Sequence, residues 1–327
     1  MRHSRISDTL RGLCCIHPLA KPDTRAPVVY MRRLLIIGCG DVAMRMLPLV
    51  RDRYRIYALS HSPGRFARMR ESGVVPIPGD LDDAATLAQL AGLATDVVHS
   101  APPQARGRRD LRTARLIAAL AKGESLPQQL VYISTSGVYG DCAGEYVEET
   151  RPVRPHTERA LRRVDAERQL RQWGARAGVR VSILRAPGIY AADRLPVERL
   201  VKRTPALCEA DDAYVNHVHA EDLARMIVAA LRRATPNRSY NAVDDVPQKM
   251  GEYFDLVADT FGLPRPPRVA RADAAQAIPG PLLSFMNESR RLSNQRIKAE
   301  LRYRLQYPTV HDGIAAALAA QRRPMDR

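Results

Sequence analysis

The chain has 327 residues, 45% of them hydrophobic, enough for one doubly wound domain with a smaller lobe or for two domains. No apolar run reaches the roughly 18 residues a membrane-spanning helix needs. A formal charge of +16, carried mostly by arginine, favours anionic ligands. The basic residues (Arg51/Arg53/Arg55, Arg106/Arg108/Arg109, Arg159/Arg162/Arg163) are spread along the chain and, Tyr54 apart, do not interleave with aromatics. Aromatics total only 5%, poor material for base stacking, so no nucleic-acid partner is expected.

Cysteines 14, 15, 39, 142 and 208 match no zinc spacing. With no metal site and no 7–15-residue apolar export signal, they read as reduced thiols in a cytoplasmic protein. Residues 1–30 carry scattered Arg, His and Pro without period. They are expected to be a disordered extension, or Met31 to be the true start.

Regular structure begins at Arg32. Leu34–Ile37 is a short continuous apolar run, the pattern of a strand buried on both faces. A helix is predicted from Asp41 to Val50, kinked or ended early by Pro48. Further strands follow at Arg55–Leu59, Val74–Ile77, Asp96–His99, Leu130–Ile133 and Val179–Leu184, the third short and irregular because of Pro76. Helices are predicted between them, at Ala84–Leu93 and Asp110–Ala121. This alternation specifies an α/β, Rossmann-type doubly wound parallel sheet over residues 31–187. After Pro187 the rhythm breaks into Pro-rich stretches and short helices. Residues 188–327 are expected to be mainly a smaller substrate-binding lobe, with about 214–245 returning to the sheet.

Gly38-Cys39-Gly40-Asp41-Val42-Ala43 satisfies G-x-G-x-x-[G/A] after a strand and at the start of a helix. Gly38 allows the tight turn, Gly40 lets the backbone approach a pyrophosphate, and Ala43 lets helix and strand pack closely. The N–H groups of Asp41, Val42 and Ala43 then face the phosphates. An NAD site would place Asp or Glu at the end of the second strand, for the ribose 2′-hydroxyl. Here Leu59-Ser60-His61-Ser62-Pro63-Gly64-Arg65 offers Ser60, His61 and Arg65, which suit a 2′-phosphate. NADP is favoured, with NAD the alternative. Asp80 and Leu81 after the third strand are placed to flank the adenine.

Val131-Tyr132-Ile133-Ser134-Thr135-Ser136-Gly137-Val138-Tyr139-Gly140 resembles the fifth-strand signature of extended short-chain dehydrogenases/reductases. Leu184–Tyr190, Asn216–Ala224 and Tyr303–Gly313 resemble three further segments of that superfamily. The chain looks closest to its atypical, YeeZ-like members, described as related to NAD-dependent epimerases/dehydratases. The resemblance implies an NAD(P)-dependent oxidoreductase or epimerase acting on a carbonyl or alcohol carbon, with Thr135 in the catalytic Ser/Thr position. It also implies a Tyr-x-x-x-Lys pair on the following helix. Counting back from Asp165-Ala166-Glu167 puts those two positions at Arg159 and Arg163, still i, i+4 on one face. Arg163 keeps the charge that would hold a ribose. Arg159 stays protonated at any working pH and is no acid/base. Tyr139, Tyr190, His217, His219 and, last, Cys142 remain as proton-transfer candidates.

Two readings follow. One is an enzyme whose basic surface, with Arg185, Arg194, Arg290 and Arg291 in or near the small lobe, suits a small anionic substrate. The other is a non-catalytic NAD(P)-binding sensor lacking the Tyr-Lys pair. The resemblance also admits a homodimer through Arg109–Ala121 and Glu158–Trp173.

Overall fold

The computed structural model describes residues 31–322; the expectation for residues 1–30 lies outside them. Seven strands form one all-parallel sheet: β1 (Arg32–Ile37), β2 (Tyr54–Ser60), β3 (Val74–Pro78), β4 (Asp96–His99), β5 (Gln129–Thr135), β6 (Arg180–Ala186) and β7 (Arg238–Asn241). Their order is β7-β6-β5-β4-β1-β2-β3. Strand order therefore reverses between β1 and β4, and the crevice at that switch point is where α/β sheets bind ligands. The apolar run in β1 is explained by burial on both faces. Leu34 and Ile36 enter one core with Met46 and Leu47, and Leu35 and Ile37 enter the other with Leu116 and Leu170.

Helices cover both faces. α1 (Asp41–Val50) follows β1, α2 (Leu111–Leu120) follows β4, and α3 (Glu158–Ala177) lies between β5 and β6. α1 does not stop at Pro48. The lost donor at that position is tolerated because Met46, Leu47 and Val50 are anchored in the core. The ladder also resumes at once, Arg51 N–H donating to Leu47 O at 3.0 Å. β3 is likewise regular despite two prolines, pairing with β2 from Val74 to Pro78. It is an edge strand, where a missing donor costs least. The stretch predicted as a helix over 84–93 is a 3₁₀ helix, Ala84–Leu90.

Beyond β6 the chain builds a third core around Leu200, Tyr253, Phe254, Val257, Met286 and Ile314. Its helices are α4 (Val197–Val201), α6 (Met250–Phe261), α7 (Gly280–Met286) and α8 (Val310–Arg322). Between α4 and α6 comes α5 (Ala220–Arg233), which packs on α1 beneath the main sheet. The strand ahead of it, His217–His219, pairs with Gly188–Tyr190 outside the seven-stranded sheet. The segment rejoins that sheet only through β7, beside β6. Among the described residues no helix is long and apolar enough to cross a membrane, and no cluster of His, Cys, Asp and Glu could hold a metal ion.

Candidate active site

The glycine turn sits at the switch point. Gly38 has φ +92°, and a Cβ there would lie 2.5 Å from Ala101 N and 2.7 Å from Ala101 Cα. Only glycine fits both demands. Ser100 Oγ donates to Gly38 O at 2.7 Å, tying the end of β4 to the turn. A Cβ on Gly40 would instead enter open space, and no side chain caps α1. The first turn of the helix thus keeps donors available to an anion.

Gly38, Gly40, Ser60, His61, Arg65, Asp80 and Leu81 all line one groove of about 280 Å³. Arg65 crosses to the glycine turn, its Nη2 donating to Cys39 O at 2.5 Å. Ser60 Oγ accepts from Ser62 N at 3.2 Å. Val42 and Ala43 lie behind the turn, Ala43 buried in the core. Asp41 is drawn away from the groove into ion pairs with Arg45 (3.0 Å) and Arg194 (3.1 Å). The uncapped helix, the open space over Gly40 and the cationic Arg65 together fit the pyrophosphate of a dinucleotide.

A second, larger cleft of about 470 Å³ opens beside Thr135, where β5 ends. Thr135 Oγ1 accepts from Gly137 N at 3.3 Å, which leaves its O–H free to donate. Arg159 and Arg163, one helical turn apart on α3, both line this cleft. Arg163 is fixed by Nη1, which donates to Tyr132 Oη at 2.9 Å and Ile133 O at 3.0 Å. Arg159 stacks on Phe285 of α7, 4.1 Å from the ring centroid. Burial, with Arg163, Arg290 and Arg162 nearby, pushes its pKa down. The glycine-groove and Thr135-cleft residues thus form two separate cavities, each brought together as a group.

The remaining candidates separate clearly. Tyr139 is buried, donating to Asn241 Oδ1 at 2.8 Å and accepting from Arg185, and burial pushes it up to about 12. Tyr190 Oη donates to Thr309 O at 3.2 Å. His219 Nδ1 accepts from Glu221 N at 3.3 Å, capping α5. Cys142 is buried, which raises its pKa. His217 alone of these lines the cleft. Its ring lies 4.3 Å from that of Tyr253, its Nδ1 has no partner, and burial pushes its pKa down to about 4.

Of the four arginines singled out near the small lobe, Arg290 lines the cleft, where Nη1 pairs with Glu288 at 2.8 Å. Arg185 does not: it is buried on β6, its Nη2 2.7 Å from Glu167 of α3. Arg194 holds Asp41, and Arg291 stacks on Tyr146 and Tyr214. Sequence reasoning missed Arg199, Met250, Phe254, Leu282 and Phe285, which complete the cleft wall. They come from three short segments of the small lobe that carry no motif.

The family model for NAD-dependent epimerases/dehydratases matches residues 46–242, more than half the chain. A functionally unknown conserved protein from Silicibacter pomeroyi is 27% identical, with a TM-score of 0.72 over 89% of this chain and all of its own. UDP-glucose 4-epimerase from Thermotoga maritima, solved with UDP-glucose, shares the fold at 14% identity (TM-score 0.73, 89% of this chain and 98% of that one). An uncharacterized protein of Schizosaccharomyces pombe is 25% identical over 231 residues, 66% of this chain and 75% of its own. The chain belongs to the NAD-dependent epimerase/dehydratase family.

Proposed function

We propose that the protein is a cytoplasmic, NADP-dependent oxidoreductase or epimerase acting on a carbonyl or alcohol carbon of a small anionic substrate. The observation that carries this reading is the Thr135 cleft. A free hydroxyl stands there among Arg159, Arg163, Arg199 and Arg290, at the same C-terminal end of the sheet as the glycine groove. The preference for NADP rests on Arg65 beside the glycine turn and on Ser60 and His61 where an NAD site would carry an acid.

A bound nicotinamide supplies the hydride donor or acceptor. Thr135 donates a hydrogen bond to the reacting oxygen and stabilises its developing charge. Arg163, pinned to the sheet through Nη1, holds the ribose with its remaining nitrogens. His217 takes the proton of a substrate alcohol, or returns it to a carbonyl. Its neutral imidazole is free to accept, and an anion bound nearby raises its affinity for the proton. Arg159 does not exchange a proton and serves to bind the substrate. α2 and α3, which pack side by side, offer a face for a homodimer.

The second reading, a dinucleotide sensor without turnover, is favoured by Arg159 standing where the family carries its tyrosine. NADPH oxidation across a panel of small oxo acids separates the two. Turnover that falls about 10²-fold in Thr135→Val, with NADP affinity retained, supports the enzyme. Tight NADP binding with no turnover on any oxo acid supports the sensor.

A further inference from the structure

Taking the Thr135 cleft as the substrate site, we propose that its ligand carries two separate anionic groups joined by an apolar middle, one group on Arg159 and the other on Arg199. Four guanidinium groups line the cleft against one carboxylate, Glu288, which is committed to Arg290 at 2.8 Å. Three positive charges are left without a counter-ion among the described residues. Arg163 spends its bonds on neutral acceptors. Arg159 makes no hydrogen bond or ion pair among the described residues and rests on the Phe285 ring. Arg199 donates only from Nη2, to Pro205 O at 2.7 Å, and its Nε is buried with no acceptor. A desolvated guanidinium without an acceptor is costly, and an incoming carboxylate or phosphate relieves that cost.

The two arginines come from different elements, Arg159 from α3 and Arg199 from α4 of the small lobe. Burial lowers the pKa of both. They are built alike. Each guanidinium lies on a phenylalanine, Arg159 at 4.1 Å from Phe285 and Arg199 at 4.0 Å from Phe254. Stacking fixes the plane of the fork and leaves its N–H edge for bidentate contact with a planar or tetrahedral anion. Met250, Leu282 and the two phenylalanines line the same cavity and give its wall an apolar stretch. Two cationic poles and an apolar wall suit a small dianionic acid, with one anionic group close to the carbon presented to Thr135.

The test is calorimetric titration of the full chain, with saturating NADP and without it. The probes are the straight-chain diacids succinate, glutarate, adipate and suberate, the matched monoacids butyrate, pentanoate, hexanoate and octanoate, and UDP-glucose. The expected result is at least one diacid binding ten times more tightly than its monoacid. Arg159→Gln and Arg199→Gln should each remove that preference. Circular dichroism of both variants checks that they remain folded. Equal affinity for diacids and monoacids would overturn the inference, as would loss in Arg159→Gln but not in Arg199→Gln. UDP-glucose binding more tightly than every diacid, with no dependence on Arg199, would do the same. Failure of NADP itself to bind would count against the proposed function, while the titrations without cofactor would still judge the two poles.

Discussion

His217 makes the folded protein sensitive to acid in a way that can be isolated. The unfolded chain carries an imidazole with its ordinary pKa of 6.5, whereas burial holds the folded one at about 4. The contribution is therefore fully present above 6.5 and is lost progressively as pH falls towards 4, because the unfolded state takes up a proton that the folded state refuses. At about pH 5 that difference amounts to about 2 kcal/mol for this one residue. His99, pushed to about 3 by burial and the nearby Arg163, acts in the same direction. Buried Asp110 and Asp244 and half-buried Glu149 and Asp212 have raised pKa values and oppose it, since acid relieves their desolvation. A direct comparison removes these shared contributions. His217→Phe keeps an aromatic ring against Tyr253 and Tyr190 and cannot titrate. Urea unfolding of both proteins at pH 7 and pH 5 should show the parent losing about 2 kcal/mol more than the variant over that interval. Equal losses, within about 0.5 kcal/mol, would refute the view of His217 as a neutral, desolvated imidazole.

Three further outcomes are expected. Arg65→Ser should weaken NADP binding about 10- to 100-fold and leave NAD nearly unaffected, because a charge-assisted bond to the 2′-phosphate is worth roughly 1.5–3 kcal/mol; fluorescence titration of both reduced cofactors measures this. Gly38→Ala should cost about 1–3 kcal/mol in urea unfolding and abolish the cofactor response, since its Cβ strikes the Ala101 backbone at a positive φ. Glu167→Gln should destabilise the fold by about 3–5 kcal/mol, because Arg185 would stay buried without its counter-charge. Thermal unfolding with and without NADP would register that loss.

The sheet was legible because its strands are apolar runs buried on both faces, and β1, β4 and β5 differ from their expected spans by no more than a few end residues. The helix through Pro48 was not, since local propensity gave way to packing by Met46, Leu47 and Val50. Helical counting put Arg159 and Arg163 on one face of α3, and both line the cleft. Arg185 read as one more basic residue near the small lobe, yet it is buried against Glu167, eighteen positions earlier. Arg199, Phe254 and Phe285 left no trace in the sequence. The helical period around Phe254 marks a buried face but no site, and tertiary folding alone brings the three together.

The most direct test of the central claim is equilibrium binding of NADP, NAD and their reduced forms to the purified full-length chain, followed by thermal midpoint. At a hundred times its dissociation constant a ligand adds roughly 2.7 kcal/mol of stability. NADP and NADPH should give that shift at concentrations where NAD and NADH give far less. No shift with any of the four would contradict the claim and reduce the glycine motif to a tight turn.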